Sequence, residues 1–146
     1  MDLQDPTRKM SKSESSPAGT VLILEDLSSV AKKIRRAVTD TDNEVRFDPD
    51  DKPGVSNLLS ILSACTGEAP NEIAGRYTQY GPLKTDTADA VSELLGPIQD
   101  RYRELASDPS TVAKILDRGA DKAQSAAAVT LQRAKRNIGL VLRGEG

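Results

Sequence analysis

The sequence predicts a mainly α-helical protein, a bundle of about five helices preceded by a mobile loop and one short strand-like segment. Three observations support this prediction. Apolar residues recur at helical spacing through most of the chain after Asp26. Helix start signals, such as Asp108 followed by Pro109, divide that part of the chain into segments. Residues 20–24 (TVLIL) are the only convincing β-branched run, so a strand formed there has no partner in this sequence.

The composition excludes several classes of protein. With 146 residues, 37% of them hydrophobic, the chain is long enough to own a core. No apolar run approaches the ~20 residues that cross a bilayer, and the first residues lack the pattern of a secretory signal. This predicts a cytoplasmic protein without a membrane partner. The absence of histidine and the single cysteine, Cys65, exclude histidine-based hydrolysis and a zinc–thiolate site.

The first predicted helix carries many cations. Asp26 is its predicted N-cap, and Leu27, Val30 and Ile34 follow at helical spacing on the inward face. The other face carries Lys32, Lys33, Arg35 and Arg36. Two interpretations of these cations stay open: a solvated helix surface, and a contact with a phosphate backbone.

An acidic, turn-rich segment comes next, and its charge raises the question of a calcium loop. An EF-hand loop needs glycine at its sixth position and usually glutamate at its twelfth. Counted from Asp40, these positions hold Val45 and Asp51. The glycine is missing, so we exclude calcium and predict no metal site.

Two helices are predicted after the acidic segment. The first begins at Pro53 or Gly54 and stops at Gly67, which suits the left-handed position that ends many helices. The second is short, follows Pro70 and includes Tyr77.

A long helix is predicted after a break at residues 80–82, with Thr85 or Asp86 as its N-cap. Asp108 starts the last helix. A narrow, alanine-rich apolar stripe on that helix allows close helix packing.

The basic residues collect at the end of the chain. Residues 112–146 hold seven Lys/Arg against three Asp/Glu, whereas residues 47–111 hold five against eleven. Cations near a helix C-terminus are favoured by the macrodipole, which explains part of the cluster. We also predict an RNA-facing patch made of Arg133, Lys135 and Arg136.

The strongest functional signal lies near the start, in Lys9, Met10, Ser11, Lys12 and Ser13. Two ammonium groups three residues apart, with hydroxyls beside them, offer charge and hydrogen-bond donors to a polyphosphate. Pro6 and Pro17 bracket the segment, and its small polar residues predict a loop that is mobile until a ligand orders it. A solvated surface loop is the alternative.

Residues 9–13 spell the KMSKS signature of class I aminoacyl-tRNA synthetases, and residues 3–7 (LQDPT) resemble the tryptophan-specific branch. Residues 38–40 (VTD), 44–48 (EVRFD) and 52–59 (KPGVSNLL) are also similar to bacterial tryptophanyl-tRNA synthetases. The chain thus resembles the C-terminal portion of such an enzyme. The resemblance implies that residues 1–20 are the KMSKS loop, a remnant of the catalytic nucleotide-binding domain, and that residues 21–146 are the helical tRNA anticodon-binding domain.

The resemblance implies a tryptophan–tRNA ligase reaction, in which ATP, carrying its Mg²⁺, activates tryptophan for transfer to tRNA. Lys9 and Lys12 would hold the β- and γ-phosphates while charge develops on the departing pyrophosphate. Ser11 and Ser13 would donate hydrogen bonds or keep the loop's shape, and Met10 would anchor the loop on apolar surface.

The resemblance also implies what this sequence lacks. Class I synthetases carry a histidine signature near the start of the nucleotide-binding domain, and a chain without histidine does not contain it. The tryptophan pocket and the domain through which the family tends to homodimerise are likewise expected elsewhere. We therefore expect a fragment or truncated product that is catalytically inactive alone. The alternative is a free-standing helical RNA-binding module without catalysis.

Overall fold

Five helices dominate the computed structural model, which describes residues 1–11 and 17–140. They are α1 (Leu27–Arg35), α2 (Pro53–Thr66), α3 (Pro70–Ala74), α4 (Tyr80–Ser107) and α5 (Pro109–Asn137). The predicted mainly α class and the number of helices are confirmed. No β-strand occurs among the described residues, and the strand-like run at residues 20–24 has no regular secondary structure and turns at Ile23 and Leu24.

The chain divides into two compact units, Met1–Arg101 and Tyr102–Gly146. The described hydrophobic core lies in the first unit and includes Leu3, which is 1% exposed and comes from the segment that precedes the KMSKS loop. The helices supply most of the remaining core side chains, including Val30, Ile34, Val55, Leu58, Leu59, Leu62, Ile73, Leu83, Ala88, Val91 and Leu95. The start of the chain therefore packs with the helices that follow it. The division at residue 20 stays a prediction.

Three predicted helix boundaries are confirmed by their capping geometry. The Asp26 carboxylate accepts the Ser29 N–H at 3.0 Å. Asp108 accepts the N–H groups of Ser110 and Thr111, each at 3.1 Å, and it also accepts both of their hydroxyls. The hydroxyls of Thr111 and Ser110, followed by the N–H groups, lower the pKa of Asp108 to about 2. Gly67 ends α2 with φ +79°, a conformation that favours glycine.

The predicted boundaries around the start of α4 are wrong. Helix α3 ends at Ala74, so Tyr77 lies outside it, and α4 begins at Tyr80 rather than after Thr85 or Asp86. Pro82 does not break α4, because it lies in the first turn, where a backbone N–H has no partner within the helix. The Tyr80 N–H is instead accepted by the Asn43 side chain at 3.0 Å.

The apolar stripe of α5 is exposed in the described residues. Helix α5 contains no buried residue, and Leu116 and Val129 are 66% and 72% exposed. An alanine-rich sequence has high helix propensity but little apolar area per turn, so the stripe supports a long helix without demanding burial. None of the described helices combines the length and apolar composition of a bilayer-crossing segment.

Candidate functional site

The described part of the KMSKS motif places its charge outward and its apolar side chain inward. Lys9 is exposed, and no other described residue forms an ion pair or hydrogen bond with its ammonium. Met10 is half-buried and packs against the core. The Ser11 carbonyl accepts the Thr20 hydroxyl at 3.3 Å. Lys12 and Ser13 lie outside the described residues, so their predicted roles stay predictions.

Backbone hydrogen bonds join the chain before and after the motif. The Leu3 N–H donates to the Gly19 carbonyl at 2.9 Å, and the Asp2 N–H donates to the Arg8 carbonyl at 2.8 Å. The Asp2 carboxylate also accepts the N–H groups of Gln4 and Asp5, at 2.7 and 3.0 Å. These bonds fix the base from which Lys9 and its neighbours project.

Asn57 of α2 clamps this base to the helices. Its side-chain amide donates to the carbonyls of Met1 and Asp2, both at 3.2 Å, and its oxygen accepts the Met1 amino group at 2.9 Å. The Leu3 carbonyl accepts the Val38 N–H at 2.8 Å. Sequence analysis missed this role. The available signal was the position of Asn57 between Val55 and the apolar run that follows, because a buried amide needs hydrogen-bond partners.

A buried lysine organises the acidic segment. Lys52 is 2% exposed, and its ammonium pairs with Asp40 at 3.2 Å and with Asp42, while the Tyr80 hydroxyl lies at 3.1 Å. Burial acts to lower the pKa of Lys52, but hydrogen bonds with Asp42, Tyr80 and Asp40 outweigh it and raise that pKa. The hydrogen bond from Lys52 is the main cause of the lowered pKa of Asp42. Two carboxylates of the segment considered for calcium therefore bind a cation of the chain itself.

The raised pKa values of Tyr77 and Tyr80 predict a loss of stability at alkaline pH. Burial first, then hydrogen bonds with Asp86 and Asp40, raise the pKa values of Tyr77 and Tyr80 from 10.0 to about 12. A folded-state pKa above the unfolded value gives stability that is complete below pH 10 and is lost as the pH rises towards 12. We expect the melting temperature to fall in this window, measured by circular dichroism. Tyr77→Phe should make the fall shallower, and an equally steep fall in that variant would contradict the assignment.

The predicted RNA patch lies at the end of α5. Arg133 and Arg136 are exposed and Lys135 is half-buried. The carbonyls of Arg136 and Lys135 accept the N–H groups of Gly139 and Leu140, each at 3.0 Å, which closes the helix. Cations at this position are favoured by the macrodipole, and RNA contact stays a prediction.

A family match covers the motif and the residues that anchor it. Residues 1–96 match the family model described as tRNA synthetases class I (W and Y). The chain belongs to this family. The start of the chain, the acidic segment and α2 are therefore parts of a class I synthetase, and the resemblance inferred from residues 9–13 is confirmed.

Several relatives of this synthetase chain match it over nearly its whole length. It is 47% identical over 141 residues to tryptophan–tRNA ligase 1 of Streptomyces coelicolor, covering 97% of this chain and 42% of the relative. It is 49% identical over 142 residues to the tryptophan–tRNA ligase of Mycobacterium leprae, covering 96% and 41%. The crystal structure of tryptophanyl-tRNA synthetase from Mycoplasma pneumoniae is similar with a TM-score of 0.82 at 34% identity, covering 97% and 43%. The chain spans about two fifths of the length of the relatives it matches.

Proposed function

We propose that this chain is the part of a tryptophan–tRNA ligase that grips the ATP phosphates and contacts tRNA. The observation that carries the proposal is the KMSKS sequence, with Lys9 exposed, on a segment fixed to a helical core in a chain 47% identical to such a ligase. Aminoacylation of tRNA is cytoplasmic chemistry in bacteria, and the proposal includes that location.

The chemistry follows from the anchoring of the motif. Departing pyrophosphate accumulates negative charge, and a preorganised cation stabilises it without reorganising at the moment of reaction. The anchored backbone at Arg8 supplies part of this preorganisation, and the exposed Lys9 ammonium, which has no partner among the described residues, is available to the phosphates once the nucleotide orders it. Lys12 would supply the second ammonium, and Ser11 and Ser13 would complete the donors. ATP would bring its Mg²⁺, which adds charge compensation at the same phosphates.

A chimera tests the proposal most directly. In it, this chain replaces the matching segment of the Streptomyces coelicolor ligase, and tryptophan-dependent exchange of labelled pyrophosphate into ATP is measured. We expect the chimera to be active and the isolated chain to be inactive. Lys12→Ala in the chimera should lower the exchange rate about tenfold or more, since it removes one cation from the transition state.

Lys122→Ala is the matched control, because Lys122 is an exposed lysine of α5 that forms no ion pair with a described residue. It should leave the exchange rate unchanged. Equal rates for Lys12→Ala and Lys122→Ala would overturn the role given to the motif. Exchange activity in the isolated chain would overturn the expectation that it is inactive, and tRNA binding with an inactive chimera would favour the RNA-binding module.

A further inference from the structure

We propose that Lys32 of α1 and Arg36, the C-cap residue of that helix, bind the phosphate backbone of RNA together with the groove beside them. The inference rests on the proposed function, in which tRNA is the partner, and it assigns phosphate contacts to residues other than those of the KMSKS motif.

The four cations of α1 and its C-cap differ in whether their side chains form an ion pair within the chain. Lys33 is largely buried, and its ammonium donates to the Thr20 carbonyl at 2.9 Å and pairs with Glu25 at 2.7 Å. Arg35 faces Asp89 at 3.5 Å. The side chains of Lys32 and Arg36 are exposed and form no ion pair or hydrogen bond with any described residue. Lys33 is therefore structural and Arg35 faces a carboxylate at the surface, whereas the ammonium of Lys32 and the guanidinium of Arg36 are available.

The two available cations line a groove without acidic walls. The groove holds a cavity of about 470 Å³, lined by Gln4, Pro17, Ala18, Lys32, Lys33 and Arg36. Lys33 is neutralised by Glu25, and Asp26 interacts electrostatically with Lys32, so the groove keeps a positive local charge, centred on Arg36 and Lys32, in a chain whose net charge is −2. The positive potential of the groove attracts an anion to this surface, although the protein as a whole is negatively charged.

The walls of the groove are fixed in advance. The Gln4 side chain donates to the Arg36 carbonyl at 3.2 Å, and Lys33 ties α1 to Thr20, just after the segment that contains Pro17 and Ala18. Lys32 and Arg36 are four residues apart, so their side chains leave α1 on the same face. Binding therefore orders two side chains and little backbone, which keeps its entropic cost low.

The shape favours a polymer over a free nucleotide. A small-molecule site buries most of its ligand, whereas this groove is open to solvent along the exposed side chains of Pro17, Ala18, Lys32 and Arg36. A nucleic-acid strand is bound from one side, through successive phosphates that arginine and lysine neutralise. The occupant is thus the backbone of an RNA strand, read without regard to sequence.

The test compares two double variants of the full chain that remove the same charge. Lys32→Gln with Arg36→Gln removes the cations of the groove. Lys114→Gln with Arg118→Gln removes an exposed pair with the same spacing on α5. Binding of an unmodified tRNA transcript is measured by fluorescence anisotropy over a series of salt concentrations. We expect the groove variant to weaken binding about tenfold and to reduce the salt slope by about 1 to 2, and the control to change Kd less than about twofold.

Lysine acetylation locates the contact and separates the two sources of phosphate. Bound tRNA should protect Lys32 from acetylation several-fold and leave Lys114 unprotected, while inorganic pyrophosphate alone should protect neither. Equal binding by both double variants would overturn the inference, as would protection of Lys32 by pyrophosphate or the absence of tRNA binding by the unaltered chain. None of these results touches the pyrophosphate exchange of the chimera, which needs no tRNA and decides the proposed function separately.

Discussion

Replacing both Asp40 and Asp42 with asparagine is expected to lower the melting temperature of the chain by about 10 °C or more. The reason is an asymmetry of burial within the cluster. Lys52 is 2% exposed, whereas the side chains of Asp40 and Asp42 are 32% and 57% exposed. Asparagine keeps an acceptor oxygen but no charge, so the buried Lys52 ammonium loses both of its counter-charges, and an uncompensated buried charge is costly.

The reverse substitution is expected to be milder. Lys52→Met replaces the buried cation with an apolar side chain of similar length, and the two carboxylates left behind are reached by water. We expect a smaller fall in melting temperature than for the double asparagine variant, measured by circular dichroism at neutral pH. Asp117→Asn with Asp121→Asn, two exposed residues of α5, controls for the change in net charge and should leave the melting temperature unchanged. A larger loss in Lys52→Met than in the double asparagine variant would contradict the asymmetry.

The same cluster shows why parts of the fold could not be predicted. Asp26, Asp108 and Gly67 gave correct helix boundaries because a cap is satisfied by backbone groups two to four residues away. The pairing of Lys52 with Asp40 and Tyr80 spans 12 and 28 residues, and periodicity carries no signal for it. The start of α4 was missed for a related reason: its first N–H bonds to Asn43, which lies 37 residues earlier.

The candidate site shows the same contrast between residues predicted from local sequence and residues that act over long sequence separations. The residues proposed to grip phosphate come from a local motif, in which residue type and spacing indicate the chemistry. The residues that hold the motif were not predicted, because Asn57 and Leu3 act across 55 and 35 residues of sequence. The four cations at residues 32–36 look equivalent in sequence. Only the contacts with Glu25, Thr20 and Asp89 distinguish Lys33 and Arg35 from the other two.

Gly54→Ala is the second substitution with a large expected effect, because α2 meets the backbone of the preceding segment at this residue. A Cβ at Gly54 would lie 2.3 Å from the Val38 carbonyl oxygen and 3.1 Å from the Thr39 Cα. Both neighbours are backbone atoms, so no rotamer change relieves the overlap, and α2 and residues 37–39 must move apart. We expect a loss of about 3 kcal/mol in the free energy of unfolding, measured with urea.

The effect should extend to the base of the KMSKS loop. The Val38 N–H donates to the Leu3 carbonyl, and the Leu3 N–H donates to the Gly19 carbonyl, so a shift at Val38 disturbs both. Hydrogen exchange should therefore quicken at the Leu3 and Val38 amides under conditions where the α5 amides are unchanged. Gly119→Ala is the control, because a Cβ there meets no atom from outside its own stretch of helix within 4 Å; it should not lower the stability and should leave exchange at the Leu3 and Val38 amides unchanged. Unchanged exchange at Leu3 in Gly54→Ala would show that the loop base does not depend on the close approach of Gly54 to Val38, and that the hydrogen bonds of Asn57 are sufficient to hold it.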